Sequence, residues 1–141
     1  MTTNSRQMFV NVAVKDLQKS MNFFRQLGFK FNQQFTDENA ACMVISDQAC
    51  VMLLQEPFFK GFMKNAVCDT KTHTEALLAL SCESRQAVDD MAKQAIAAGG
   101  QPATDPMDHG FMYLKTFHDL DGHHWEVFWM DPGHVQPAQL V

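Results

Sequence analysis

The first apolar run, MFVNVAVKD, alternates. Val10, Val12 and Val14 fall on one side and Phe9, Asn11 and Ala13 on the other, the period-two signature of a strand with two different faces. The period then changes. Asp16 stands where an N-cap belongs, Leu17, Met21, Phe24 and Leu27 recur at helical spacing, and Gly28 supplies the stop. FKFNQQF, ACMVIS and ACVMLLQE follow as short β-rich runs, the last two joined around Asp47 and Gln48 as a hairpin.

The second half repeats this grammar. EALLALSCES reads as a strand with Ser84 in the cap position, and Ala87, Val88, Met91, Ala92 and Ala95 form a helix stripe ending at Gly99 and Gly100. A short stretch at 101–104, the strand FMYLKTF, the turn DLDG and the strand HWEVFWM complete it. The order is βαβββ twice, an internal repeat that decides the fold class as α+β. Module one spans about 8–56, a connector about 57–73, module two about 74–131 and a turn-rich tail 132–141, all within one domain covering 1–141. In the connector, Phe58, Phe59, Phe62 and Met63 predict a short helix whose aromatic surface needs a cover, a pocket or a partner.

Composition narrows the function classes. With 141 residues, 46% apolar and 19% charged, the chain can bury a real core. A net charge of −5 and no basic stripe argue against a nucleic-acid partner. No apolar run reaches the length of a membrane span and MTTNSRQ lacks a signal-peptide core, so the expectation is a soluble, cytoplasmic protein. Cys42, Cys50, Cys68 and Cys82 have no metal-finger spacing and are expected as reduced thiols. Neither Ser81 nor the cysteines have the base-and-orienter context of a nucleophile, and no Gly-rich phosphate loop is present.

The candidate chemistry sits in FHDLDGHHWEVFWMD. Glu126 lies inside an aromatic strand, where an ionised carboxylate needs a cation, a metal or several donors. His124, two residues earlier, shares its face. If Phe117 pairs with His124 across the turn, Lys115 falls opposite Glu126 and the two form an ion pair, with Tyr113 beside them on the same face. A slip of one residue would send Lys115 to the other face.

VKDLQKSMNFFRQLGF, ALSCESRQAVDDMAKQAIAAGG and HGFMYLKTFHDLDGHHWEVFWMD together resemble the vicinal oxygen chelate superfamily of glyoxalase I, bleomycin-resistance proteins and extradiol dioxygenases. The likeness is greatest to the branch labelled glyoxalase/bleomycin-resistance or predicted lactoylglutathione lyase. It implies two βαβββ modules forming a curved mixed sheet around a cavity, and commonly a homodimer. In the metal enzymes the ligands come from the first and last strands of each module. The matching positions here are Phe9, Met52, Leu77 and Glu126, of which three are apolar. A Zn, Ni or Fe site needs about three or four N, O or thiolate donors, so no metal is expected, with Glu126 and His124 the candidates for a noncanonical one.

The leading expectation is therefore a binding protein for a small, partly apolar molecule. Asn11, Tyr113, Lys115, His124 and Glu126 would supply polar groups, and Phe9, Met52, Leu77 and Phe128 the walls. The alternative is a metal-dependent lyase or isomerase resembling lactoylglutathione lyase, with Glu126 as ligand or base. A third is a purely structural interaction module.

Overall fold

The computed structural model describes residues 6–141, which divide into a first compact unit ending at His73 and a second beginning at Thr74. The first contains β1 (Met8–Val14), α1 (Leu17–Gln26), β2 (Lys30–Asn32), a single 3-10 turn (Gln33–Phe35), β3 (Ala40–Ser46), β4 (Ala49–Gln55) and α2 (Glu56–Lys60). Its strand order is β1-β4-β3-β2, parallel between β1 and β4 and antiparallel elsewhere. The second contains β5 (Leu77–Ser81), α3 (Arg85–Ala97), β6 (Gln101–Pro102), β7 (Met107–Asp108), β8 (Met112–His118) and β9 (His124–Met130). Its order is β5-β9-β8-β6, parallel between β5 and β9, with β7 also on β8.

Local chemistry explains the matching starts and stops. The Asp16 side chain accepts from Lys19 N–H at 3.1 Å and that of Ser84 from Ala87 N–H at 3.0 Å, each satisfying an otherwise orphaned helix donor. Both helices are followed by a glycine with φ near +100°, Gly28 at 97° and Gly99 at 108°, a conformation costly for other residues. FKFNQQF is strand only over its first part. Asn32 Oδ1 accepts from Gln34 N–H at 3.0 Å, which turns the chain into the 3-10 segment and ends β2 at Asn32.

Each sheet has one face under its helix. Val12, Val14, Leu53 and Met43 are buried on the α1 side together with Leu17, Met21, Phe23 and Phe24 of the helix. In the second unit Phe117, Trp125 and Val127 are buried with Val88, Ala92 and Ala95 of α3. The other face of each sheet remains to carry function. All four cysteines are free thiols. The start of the tail is tied down: Asp131 N–H donates to Phe111 O at 2.8 Å, and the His134 ring stacks on Phe111 with centroids 4.1 Å apart.

Candidate functional site

In the first unit, the parallel register sets Asn11 opposite Met52, and β3 sets Cys42 opposite Met52 and Ala40 opposite Leu54. Directly opposed residues share a face, so these side chains line the side turned away from α1. A groove of about 410 Å³ lies there. Its floor is Asn11, Ala40, Met52 and Leu54, and its walls are the 34–37 segment and two rings of the α2 region, Phe58 and Phe62. Phe9 is exposed on the same face.

The aromatic connector therefore divides its rings. Phe59 and Met63 are half-buried, whereas Phe58 and Phe62 pack edge-to-face with centroids 5.1 Å apart and remain 39% and 72% exposed over the groove. The wall from Gln34 to Asp37 was invisible to strand periodicity. Its signal was the turn chemistry of Asn32 and Asp37, whose side chains accept from the backbone two residues ahead, at Gln34 and Asn39. Below the groove, burial and the neighbouring Cys50 thiol push Cys42 up to about 11, so it stays a neutral thiol at physiological pH.

In the second unit Glu126 lies on β9 opposite Ala79 of β5, with Leu77 opposite His124 and Ser81 opposite Phe128. Leu77, His124, Glu126 and Phe128 thus share the face turned away from α3. His118 is opposite His124, their rings 5.5 Å apart. Glu126 is half-buried and makes no hydrogen bond or ion pair with a described residue. The remaining four histidines are engaged elsewhere: His73 with the Thr72 hydroxyl at 2.7 Å, His109 and His134 against Phe111, and His123 with Glu75 at 2.6 Å.

The expected Lys115–Glu126 pair is not formed. Thr116 opposes Glu126, and Lys115 opposes Val127. The cause is the turn between β8 and β9, which folds around the buried carboxylate of Asp119. Its Oδ1 accepts from Asp121 N–H at 2.9 Å and His123 N–H at 3.0 Å, and its Oδ2 from the Trp125 indole N–H at 2.8 Å. This five-residue connection makes His118 and His124 the first pair, one step away from the expected register, and the slip reverses every face assignment on β8. Burial raises the Asp119 carboxyl above its ordinary value, opposed by His123 and the indole donor.

Lys115 and Tyr113 therefore face α3. The Lys115 Nζ lies 2.8 Å from Asp89 Oδ1, and the Tyr113 hydroxyl donates to the same oxygen at 2.6 Å. These bonds hold Asp89 below the ordinary carboxylate range, Lys115 first and Tyr113 second. Next to them Arg85 grips Asp108 with two bonds at 2.9 and 3.0 Å and stands over the rings of Tyr113 and Trp129 at 5.0 and 5.1 Å. Lys115 lines a separate depression of about 390 Å³ between α3 and the β6 edge, with Lys93, Pro102 and Thr104.

Among the described residues no three His, Cys, Asp or Glu side chains gather where they could hold a metal ion. Phe9, Met52, Leu77 and Glu126 offer one carboxylate and one thioether between them, a donor set that does not fit Zn, Ni or Fe.

The family model described as the glyoxalase/bleomycin resistance protein/dioxygenase superfamily matches residues 6–127. A hypothetical protein from S. aureus is 27% identical, with a TM-score of 0.75 over 87% of this chain and 92% of that one. A glyoxalase/bleomycin resistance protein/dioxygenase family enzyme from Burkholderia phytofirmans is 17% identical, with a TM-score of 0.71 over 86% and 96% of the two chains. The genomically encoded fosfomycin resistance protein FosX from Listeria monocytogenes is 16% identical, with a TM-score of 0.62 over 92% and 94%. No curated protein matches the chain significantly.

Proposed function

This chain belongs to the glyoxalase/bleomycin resistance protein/dioxygenase superfamily, and on that premise we propose that it binds a small, partly apolar molecule against the free face of its first sheet. The observation that carries this reading is the groove itself. Its volume of about 410 Å³ suits a small organic ligand, and exposed Phe58 and Phe62 rings stand over an apolar floor with Asn11 as a polar contact. Exposed aromatic surface of this kind gains free energy when a ligand covers it. Glu126 and His124, on the free face of the second sheet, are the polar groups proposed for that unit. Tyr113 and Lys115 drop out of the ligand set because Asp89 engages both.

A thermal-shift screen of small aromatic compounds tests the reading. Saturable stabilisation of the wild type should disappear in Met52→Arg, which fills the groove floor with a long cationic side chain. Equal stabilisation of both proteins would place binding elsewhere.

The second reading is a divalent-metal lyase or isomerase. In its favour stands one observation, the half-buried Glu126, without a partner among the described residues, beside the His118–His124 pair. Against it stand Phe9, Met52 and Leu77 at the other donor positions. Metal analysis separates the two: stoichiometric Ni, Zn or Fe lost on Glu126→Gln would favour the lyase. A homodimer in the cytoplasm completes the proposal. Light scattering tests the first part and cell fractionation the second; no described helix is long and apolar enough to cross a membrane.

A further inference from the structure

We propose that the ligand of the first-unit groove is a planar aromatic cation. The inference rests on the reading of that groove as a ligand site and adds the charge class of the occupant.

Three observations converge on it. Among the described residues lining the groove, Asp37 is the sole charged one. Its carboxylate is held in place: Oδ1 accepts from Asn39 N–H at 2.8 Å and Ala40 N–H at 3.0 Å, while Oδ2 has no partner among the described residues. A fixed anion with one free acceptor is pre-organised for an N–H or a positive centre. Next, three exposed phenyl rings, Phe35, Phe58 and Phe62, surround the same space. Ring faces carry negative quadrupole potential, which attracts cations and disfavours anions. Finally, no lysine or arginine is among the described residues lining the groove, and the α2 lysine, Lys60, is occupied by Glu56 at 3.4 Å.

The other polar groups discriminate little. Thr36 Oγ1 is spent on Asn32 O at 2.7 Å and Cys42 N–H at 3.0 Å, which leaves the amides of Asn11 and Gln34 as neutral contacts. Flatness follows from the rings, since the exposed Phe58 and Phe62 rings, packed edge-to-face, leave ring surface over the apolar floor on which an aromatic plane can stack.

The test uses three fluorescent probes of one shape and different charge at mildly alkaline pH and low salt: 9-aminoacridine as the cation, acridine as the neutral form and acridine-9-carboxylate as the anion. The cation is expected to bind about fivefold to twentyfold tighter than acridine, because an exposed carboxylate and exposed rings each contribute modestly. The anion should bind weakest. Asp37→Asn keeps the oxygen that accepts from Asn39 and Ala40, so the turn survives, and it should bring 9-aminoacridine down to the acridine level while leaving acridine unchanged. Phe62→Leu, at a largely exposed position, should weaken the cation more than the neutral probe. Equal affinity for cation and neutral probe, preference for the anion, or indifference to Asp37→Asn would overturn the charge assignment while leaving the groove reading intact. Failure of every probe to bind, or binding unaffected by Met52→Arg, would overturn the groove reading and the charge assignment together.

Discussion

The two repeats, βαβββ in the first unit and the same order with one extra short strand, β7, in the second, share one strand-helix grammar and hold it together by different means. In the first, α1 covers its sheet with bulky side chains, Met21, Phe23 and Phe24, all buried. In the second, α3 approaches through Val88, Ala92 and Ala95 and then adds a polar rim, Asp89 to Tyr113 and Lys115, and Arg85 to Asp108. The hairpins differ in the same direction. The β3–β4 turn passes through exposed Asp47, whereas the β8–β9 turn is built around Asp119, nearly solvent-free and bonded to an indole and two backbone donors. Topology is thus compatible with either apolar or polar closure, and the choice decides which face keeps free polar groups. The first unit leaves its groove face open; the second commits Tyr113 and Lys115 to its helix.

The contrast is broken most severely in the first core. Phe24→Ala should destabilise by about 3–5 kcal/mol, the range for deleting a fully buried ring, in urea or thermal unfolding. Ala95→Gly at the corresponding helix face should cost only about 1 kcal/mol, from lost helix propensity and little lost volume. The turns come next. Asp119→Ala strands buried donors, including the Trp125 N–H, and should cost about 2–3 kcal/mol. Asp47→Ala, exposed in the matching turn, should stay within about 0.5 kcal/mol. Similar costs for the two aspartates would erase the distinction between the hairpins.

Smaller effects sharpen the rim. In a double-mutant cycle, Asp89→Asn with Lys115→Met should show coupling of roughly 0.5–1 kcal/mol, reduced by the partial exposure of both groups. Glu126→Gln with Lys115→Met should be additive, since the two side chains lie on opposite faces. The smallest effect is acid-dependent. The Arg85 guanidinium lowers Asp108 from 3.8 to about 2, so their contact stabilises above the ordinary carboxylate value and is lost as pH falls toward about 2. Unfolding curves across that window should be shallower in pH for Asp108→Asn than for the wild type.

Much of this fold was legible from one dimension. Alternation in MFVNVAVKD, the caps at Asp16 and Ser84, and the glycines after each helix act between near neighbours, so periodicity and local hydrogen bonding suffice to place β1, α1, β5 and α3. The aromatic cluster at 58–63 was legible as surface needing an occupant, though which rings turn inward was not. The pairing of β8 with β9 was not legible either, because the register depends on how many residues the Asp119 turn consumes, and a carboxylate that gathers donors from Asp121, His123 and Trp125 looks in sequence like any turn aspartate.

By itself, then, the amino-acid sequence determined the repeat, the boundaries of α1 and α3 and the apolar character of Phe9, Met52 and Leu77, all of which follow from side-chain chemistry and short-range spacing; it placed neither the short β7 nor the end of α2 at Lys60, ahead of Phe62 and Met63. Only the tertiary structure decided that Lys115 meets Asp89 instead of Glu126, and that Asp37, Phe58 and Phe62 gather around Asn11 and Met52. Those outcomes depend on long-range register and on segments brought together by the sheet. A shift of one residue in pairing, which changes the local pattern hardly at all, exchanges the two faces of a strand.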